Sequence, residues 1–107
     1  MPSAYTPRGA NSNPPTAQAQ IAVTASQQPL TIPGAPFVSD TPARFMVDGT
    51  VPITWCYGNE AGLTVNNGVP MVANSVELFS IPSNVTQISV IAAGTGSTLR
   101  IVVGDGV

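Results

Sequence analysis

The chain has 107 residues, of which only 7% are charged, and its three arginines and five acidic residues give a net charge of −2. It has no basic patch that could neutralise the phosphates of a nucleic acid or hold the chain on an anionic bilayer, so neither nucleic acid nor membrane is an expected partner. The length allows one domain with one core, and a surface so poor in charge suits a protein that is covered by neighbours.

Residues 1–20, "MPSAYTPRGANSNPPTAQAQ", are predicted to form an extended arm. They contain four prolines and no Val, Ile, Leu or Phe, so they have little to bury against an ordering entropy of about 1–2 kcal/mol per residue. We expect the arm to dock on a neighbouring subunit or other partner surface, with Tyr5 and Arg8 making the specific contacts and Pro14 and Pro15 reducing the entropy lost on docking. The alternative is that it packs on its own domain. The arm lacks the apolar core of a signal peptide, so we expect no Sec export.

Residues 21–107 are predicted to form one all-β domain, a β-sandwich or jelly-roll-like fold. Short β-branched runs alternate with clusters of Gly, Pro, Asn and Asp, and no stretch has a sustained helical period. Pro52 and Pro70 cannot donate to a ladder, so they should lie at strand starts or sheet edges. The predicted strands are 20–25, 28–32, 43–47, 51–57, 62–65, 75–80, 86–92 and 97–103.

Three connections have the composition of hairpin turns. Asp48-Gly49 and Asn67-Gly68 are dipeptides that accept the positive φ angles of a type I′ turn. The sequence "GTGS" at 94–97 predicts a third hairpin with a slightly longer loop.

The segment "VPITWCYGN", residues 51–59, holds the only tryptophan and the only cysteine of the chain. Strand geometry sends Trp55 and Tyr57 to one face and Cys56 to the other. We expect Trp55 to pack against apolar faces of neighbouring strands, for example the face with Val76 and Leu78, and we expect Cys56 to be a small buried side chain. The predicted core residues are Trp55, Tyr57, Phe79, Ile88, Val90, Leu99 and Ile101.

The sequence offers little catalytic chemistry. The absence of histidine rules out the Ser-His-Asp and Cys-His arrangements and most zinc sites. Asp48, Glu60 and Asp105 fall at predicted turns, where two of them could meet as a weak calcium or carboxylate-pair site or be solvated turn residues. The sequence therefore predicts no enzyme, no cofactor and no resident metal.

Several short motifs lie in residues 47–107: an Asp-Gly turn followed by "TVPI", then "GVPM", "VELF" and a closing "ISVIAAGTGSTLRI". This pattern resembles small β-rich virion proteins of tailed bacteriophages, which decorate heads or form fibres and tail parts. The resemblance implies a head decoration (cement) protein on the outer surface of the phage head. Its implied partners are the major capsid protein and copies of itself, in a homo-oligomer.

The alternative function is a fibre or tail module that binds a host surface glycan or receptor. Such a module would use exposed aromatic side chains, for which Trp55 and Tyr57 are the candidates.

Overall fold

The computed structural model describes residues 5–8 and 17–105, and every regular element in these residues is a β-strand. The all-β class predicted from the sequence is therefore confirmed. The strands are β1 (Thr6–Pro7), β2 (Gln18–Val23), β3 (Gln28–Thr31), β4 (Thr41–Gly49), β5 (Ile53–Tyr57), β6 (Val69–Met71), β7 (Val76–Ile81), β8 (Gln87–Ala92) and β9 (Ser97–Asp105).

The strands form two antiparallel sheets that enclose the core. In the first, called the β9 sheet, the order is β1-β9-β4-β7, and β2 also pairs with β9. In the second, called the β8 sheet, the order is β3-β8-β5-β6. Seven connections join the consecutive strands from β2 to β9, and six of them cross from one sheet to the other. The exception is the connection from β5 to β6, which stays in the β8 sheet. Neighbours in sequence are therefore seldom neighbours in a sheet.

An aromatic cluster joins the inner faces of the two sheets. The ring centroid of Trp55 on β5 lies 4.7 Å from that of Phe45 on β4 and 4.9 Å from that of Phe79 on β7. The Tyr57 ring is 5.0 Å from Trp55, and its hydroxyl donates to the Ser80 carbonyl at 2.7 Å. Aromatic pairs at these separations add stabilisation beyond the area they bury, so this cluster is the main tie between the sheets.

The predicted strand at 62–65 is wrong. These residues belong to a loop, and the strand that pairs with β5 is β6, further along the chain. Leu63 is buried beneath the loop, so the apolar content of the run serves to fix a covering loop rather than to fill a sheet. Pro70 lies within β6, an edge strand, and Pro52 directly precedes β5, as predicted.

The predicted hairpins at 48–49 and 94–97 are also wrong, because each joins strands of different sheets. Both connections are corners that lie against each other. Gly49 has φ 140°, and a Cβ there would stand 2.1 Å from the Gly96 carbonyl oxygen. The two corners are hydrogen-bonded from Thr50 N–H to Gly96 O at 3.2 Å and from Val51 N–H to Ser97 Oγ at 3.0 Å. The glycines are required by this close crossing of backbones rather than by a tight turn.

The third predicted hairpin, at Asn67-Gly68, fails for another reason. Neither residue has a positive φ, and β6 pairs with β5 across the long connection from 58 to 68. The Asn67 side chain organises that connection, since its Oδ1 accepts from Thr64 N–H at 2.7 Å and its Nδ2 donates to Gly62 O at 2.9 Å.

Candidate assembly surface

Residues 5–8 lie on the C-terminal end of β9, where Tyr5 fills a space left by Gly104. A Cβ at Gly104 would stand 2.5 Å from the Tyr5 ring, so only glycine admits this contact. The Tyr5 hydroxyl donates to the Val102 carbonyl, and the Arg44 guanidinium lies 5.0 Å from the ring centroid, within cation–π range. These contacts involve the face, the edge and the hydroxyl of the Tyr5 ring, so the ring is fixed in position.

Arg8 makes the second set of contacts at this end of β9. Its Nη2 donates to Asp105 Oδ1 at 2.7 Å, and its Nε lies 3.1 Å from both carboxylate oxygens. Its backbone N–H donates to Val103 O at 2.8 Å, and its guanidinium lies 5.3 Å from the Phe37 ring centroid. The ion pair is solvent-exposed, so it gives this contact specificity more than stability.

The contacts of Tyr5 and Arg8 change the pKa values of the ionisable groups involved. The hydrogen bond from Arg8 lowers the pKa of Asp105 below its ordinary value of 3.8, and the same bond raises the pKa of Arg8. Burial against β9 raises the pKa of the Tyr5 hydroxyl. The receiving surface, which we call the N-terminal socket, consists of Arg44, Val102, Val103, Gly104 and Asp105.

The predicted docking residues are placed as follows. Tyr5 and Arg8 lie on the socket of their own chain, which is the alternative that the sequence left open. Pro14 and Pro15 fall outside the described residues. The sequence analysis missed Arg44, Gly104 and Asp105 as their partners, because no local pattern reports a contact between segments 97 positions apart.

Exposed aliphatic side chains occur on the edge strands β6 and β7 and on the connection between them. Val76 and Leu78 on β7 are 58% and 45% exposed, which corrects the expectation that they face the core. They lie opposite Met46 and Arg44, on the outer face of the β9 sheet. Two further exposed valines are Val69 on β6 and Val72 in the β6–β7 connection, and the group we call the apolar edge is Val69, Val72, Val76 and Leu78.

The outer face of the β8 sheet is covered by the chain itself. The connection 58–68 folds over it and buries Thr54 and Ser89. Thr54 Oγ1 donates to Val65 O at 3.1 Å, and Ser89 Oγ donates to Gly58 O at 2.9 Å. Polar side chains on an outer strand face are thus satisfied without solvent.

A cleft of about 300 Å³ remains between this connection and β5. Cys56 lines it and is partly buried rather than fully buried as expected. Strand geometry correctly placed the cysteine on the face opposite Trp55. The other lining residues are Tyr57, Gly58, Glu60, Ala61, Gly62, Leu63 and Asn67.

Two of the turn carboxylates considered as a site, Asp48 and Asp105, lie near opposite ends of β9, and Glu60 lies in the connection 58–68. Asp48 pairs with Arg100 at 3.0 Å and lies opposite Thr98, near the start of β9, whereas Asp105 ends that strand. Seven residue steps along β9 separate Thr98 from Asp105, or roughly 23 Å at 3.3 Å per step. Among residues 5–8 and 17–105, no three His, Cys, Asp or Glu side chains are grouped to hold a metal ion.

The residues predicted for the core occupy the space between the sheets. Trp55 is 1% exposed, and its Nε1 finds no hydrogen-bond partner. Tyr57 and Phe79 are partly buried against the same cluster. The fully buried residues of the predicted set are Trp55, Ile88, Val90, Leu99 and Ile101.

Comparisons with known proteins identify only distant structural neighbours. No protein-family model matches the chain, and no curated protein matches its sequence. A protein of Bacillus endospore appendages, described as disulfide-linked pili, is 16% identical over 81% of each chain, with a TM-score of 0.39. The Tobacco streak virus coat protein dimer is 10% identical over 87% of this chain and 89% of the other, with a TM-score of 0.38. Similarities this distant assign neither a family nor a function.

Across the described part of the chain, there is no helix long and apolar enough to cross a bilayer.

Proposed function

We propose that this protein is a structural component of a tailed-phage virion, a decoration (cement) protein on the outer surface of the head. Its partners in this role are the major capsid protein and copies of itself. The observation that carries the proposal is the apolar edge, four solvent-exposed aliphatic side chains on β6, β7 and the connection between them.

The apolar edge has the properties of a contact surface. β7 is an edge strand, and the one charged residue in its sequence VELFSI is Glu77. Edge strands of soluble monomers are usually protected by lysines, other charged residues or prolines, because an unprotected edge pairs with other chains. Val72, at 68% exposure, extends the surface beyond β7. Contact with a neighbouring subunit would remove this edge from water.

The architecture is compatible with the role. The order β2-β9-β4-β7 in one sheet and β3-β8-β5-β6 in the other, with chain crossings between them, is the arrangement we assign to a jelly roll. Jelly rolls occur in viral capsid proteins and also in lectins, so the fold supports the proposal without deciding it.

The alternative, a fibre or tail module that binds glycans through exposed aromatics, finds less support. Trp55 lies between the sheets, and the Tyr57 hydroxyl is engaged by Ser80. The Trp55 ring is therefore closed to a sugar, and the Tyr57 ring is partly buried against the core.

Counting copies in purified particles tests the proposal. A decoration protein should be present in hundreds of copies and cross-link to the major capsid protein, whereas a fibre module should be scarce and should not. A scarce chain without capsid cross-links would contradict the proposal.

A surface variant tests the apolar edge itself. Val76→Glu changes an exposed valine opposite Met46, outside the N-terminal socket, so the fold should tolerate it while particle occupancy falls. The matched control is Val38→Glu, which changes a fully exposed valine in the β3–β4 connection. Equal occupancy of the two variants would contradict the role of the edge.

A further inference from the structure

β1 and β2 occupy successive positions along one edge of β9. Thr6 and Pro7 lie opposite Asp105 and Gly104, and β2 continues from Val102 to Ser97. Both strands are antiparallel to β9, so they run in the same direction. They therefore resemble one strand that is interrupted in the middle.

The interruption falls at a single residue of β9. The Val103 carbonyl accepts from Arg8 N–H at 2.8 Å, and the Val103 N–H donates to Ala17 O at 2.9 Å. In an uninterrupted antiparallel ladder, one partner residue makes both of these bonds. Here Arg8 and Ala17 share them, although eight residues, 9–16, separate the two in sequence. The connection is much longer than joining these adjacent ends requires.

The same connection is long enough to reach another copy. The nine steps from Arg8 to Ala17 can span roughly 30 Å when extended, at about 3.3 Å per residue. The described domain measures 39 × 27 × 26 Å, so this reach matches the width of one subunit. Pro14-Pro15 lies in the connection, and consecutive prolines favour an extended chain over a tight return.

We propose that, in the assembled state, Tyr5–Arg8 of one copy occupies the N-terminal socket of a second copy. This inference rests on the proposed assembly function and specifies how copies are linked. The socket contacts are the same whether the segment comes from its own chain or a neighbour, so exchange loses none of them. The concentration of neighbouring sockets decides whether the segment binds its own chain or another copy. Binding within one chain has an effective concentration in the millimolar range. A packed layer of subunits supplies neighbouring sockets at comparable concentration.

The test uses the full chain with Cys56→Ala to remove the native thiol. One copy carries Thr6→Cys and the other, labelled with ¹⁵N, carries Asp105→Cys. These positions are Cα partners in the ladder, and such pairs are roughly 4.5–5.5 Å apart, within the range that a disulfide accepts. When the mixed copies are assembled together and mildly oxidised, mass spectrometry should find the 6–105 disulfide between labelled and unlabelled chains, and this disulfide should be scarce in dilute, unassembled chains.

Two controls make a negative result decisive. A single chain with both Thr6→Cys and Asp105→Cys should close its own disulfide, which shows that the pair can react. Asp48→Cys and Thr98→Cys on separate copies form the matched control, since these Cα partners belong to β4 and β9, within the domain. The 6–105 link should exceed the 48–98 link severalfold. Equal amounts, or no 6–105 link between copies while the single chain closes, would overturn the exchange.

The single chain with both cysteines also separates this inference from the proposed function. Under oxidation its segment is locked on its own socket, so self-assembly should be lost, and it should return after reduction. Assembly that is unaffected by the lock would overturn the exchange but leave the decoration role standing. A wild-type chain absent from phage heads would instead overturn the decoration role.

Discussion

The two sheets differ in what covers their outer faces. The β8 sheet is covered by the connection 58–68, which buries Leu63 and satisfies Thr54 and Ser89. Among the described residues, none covers the β7 side of the β9 sheet, where Val76 and Leu78 face solvent beside the charged Arg44. The chain thus covers one outer face by itself, and in the proposed assembly a neighbour would cover the other.

The largest effect should come from the cluster that joins the two sheets. Trp55→Ala should lower the free energy of unfolding by about 3–5 kcal/mol, because it opens a cavity among Phe45, Tyr57 and Phe79. Urea unfolding measures the change. Trp55→Phe is the control, and it should cost less because it keeps a ring and removes the unpaired Nε1 donor. A loss below about 1 kcal/mol for the alanine variant would show that the sheets are held by other contacts.

On the covered outer face of the β8 sheet, stability should depend on Leu63. Leu63→Ala should destabilise the fold by about 2 kcal/mol, at the low end for leucine truncation because Leu63 lies at the periphery. It should also loosen the connection over Cys56 and speed the reaction of that thiol with a labelling reagent. Val65→Ala, at an exposed position of the same connection, is the matched control. Equal labelling rates in the two variants would contradict a covering role for Leu63.

On the uncovered outer face of the β9 sheet, a substitution should hardly change the stability of the isolated chain. Leu78→Thr should change the free energy of unfolding by no more than about 0.5 kcal/mol, as expected for an exposed position. Sedimentation of the same sample should show reduced self-association. A loss of stability comparable to that of Leu63→Ala would mean that Leu78 supports the fold and that the two faces do not differ.

The smallest effect concerns the N-terminal contact and depends on pH. Because Arg8 lowers the pKa of Asp105 in the folded chain, the contribution of the pair is complete above the ordinary pKa of 3.8 and is lost as the pH falls through the lowered value. In the acid range, the NMR chemical shifts of the Tyr5 ring should therefore change below pH 3.8. Asp105→Asn should abolish this transition, and an unchanged acid transition in that variant would assign it to another group.

Local patterns accounted for much of the fold. The alternation in residues 53–57 placed Trp55 and Cys56 on opposite faces, and the short β-branched runs located seven of the nine strands. These features follow from the two-residue period of a strand, which a short segment expresses by itself. The strands at Thr6–Pro7 and Val69–Met71 were missed because short edge strands that contain proline have little pattern of their own.

The candidate assembly surface was only partly predictable. Tyr5 and Arg8 were singled out because they are the large anchor and the one charge of an otherwise featureless segment. The apolar edge was misassigned, since β7 carries apolar side chains on both faces and the sequence does not state which face is inward. Its register with β4 decides this, because Phe79 lies opposite the buried Ala43.

The sequence by itself determined the all-β class, the poverty of charge and the direction of side chains along a strand, because each depends on composition or on immediate neighbours. Only the tertiary structure decided which strands pair, that Gly49 and Gly96 meet at crossing corners, and that Tyr5 rests on Gly104. These contacts join residues far apart in sequence. They are selected by the packing of the whole chain, which no short segment contains.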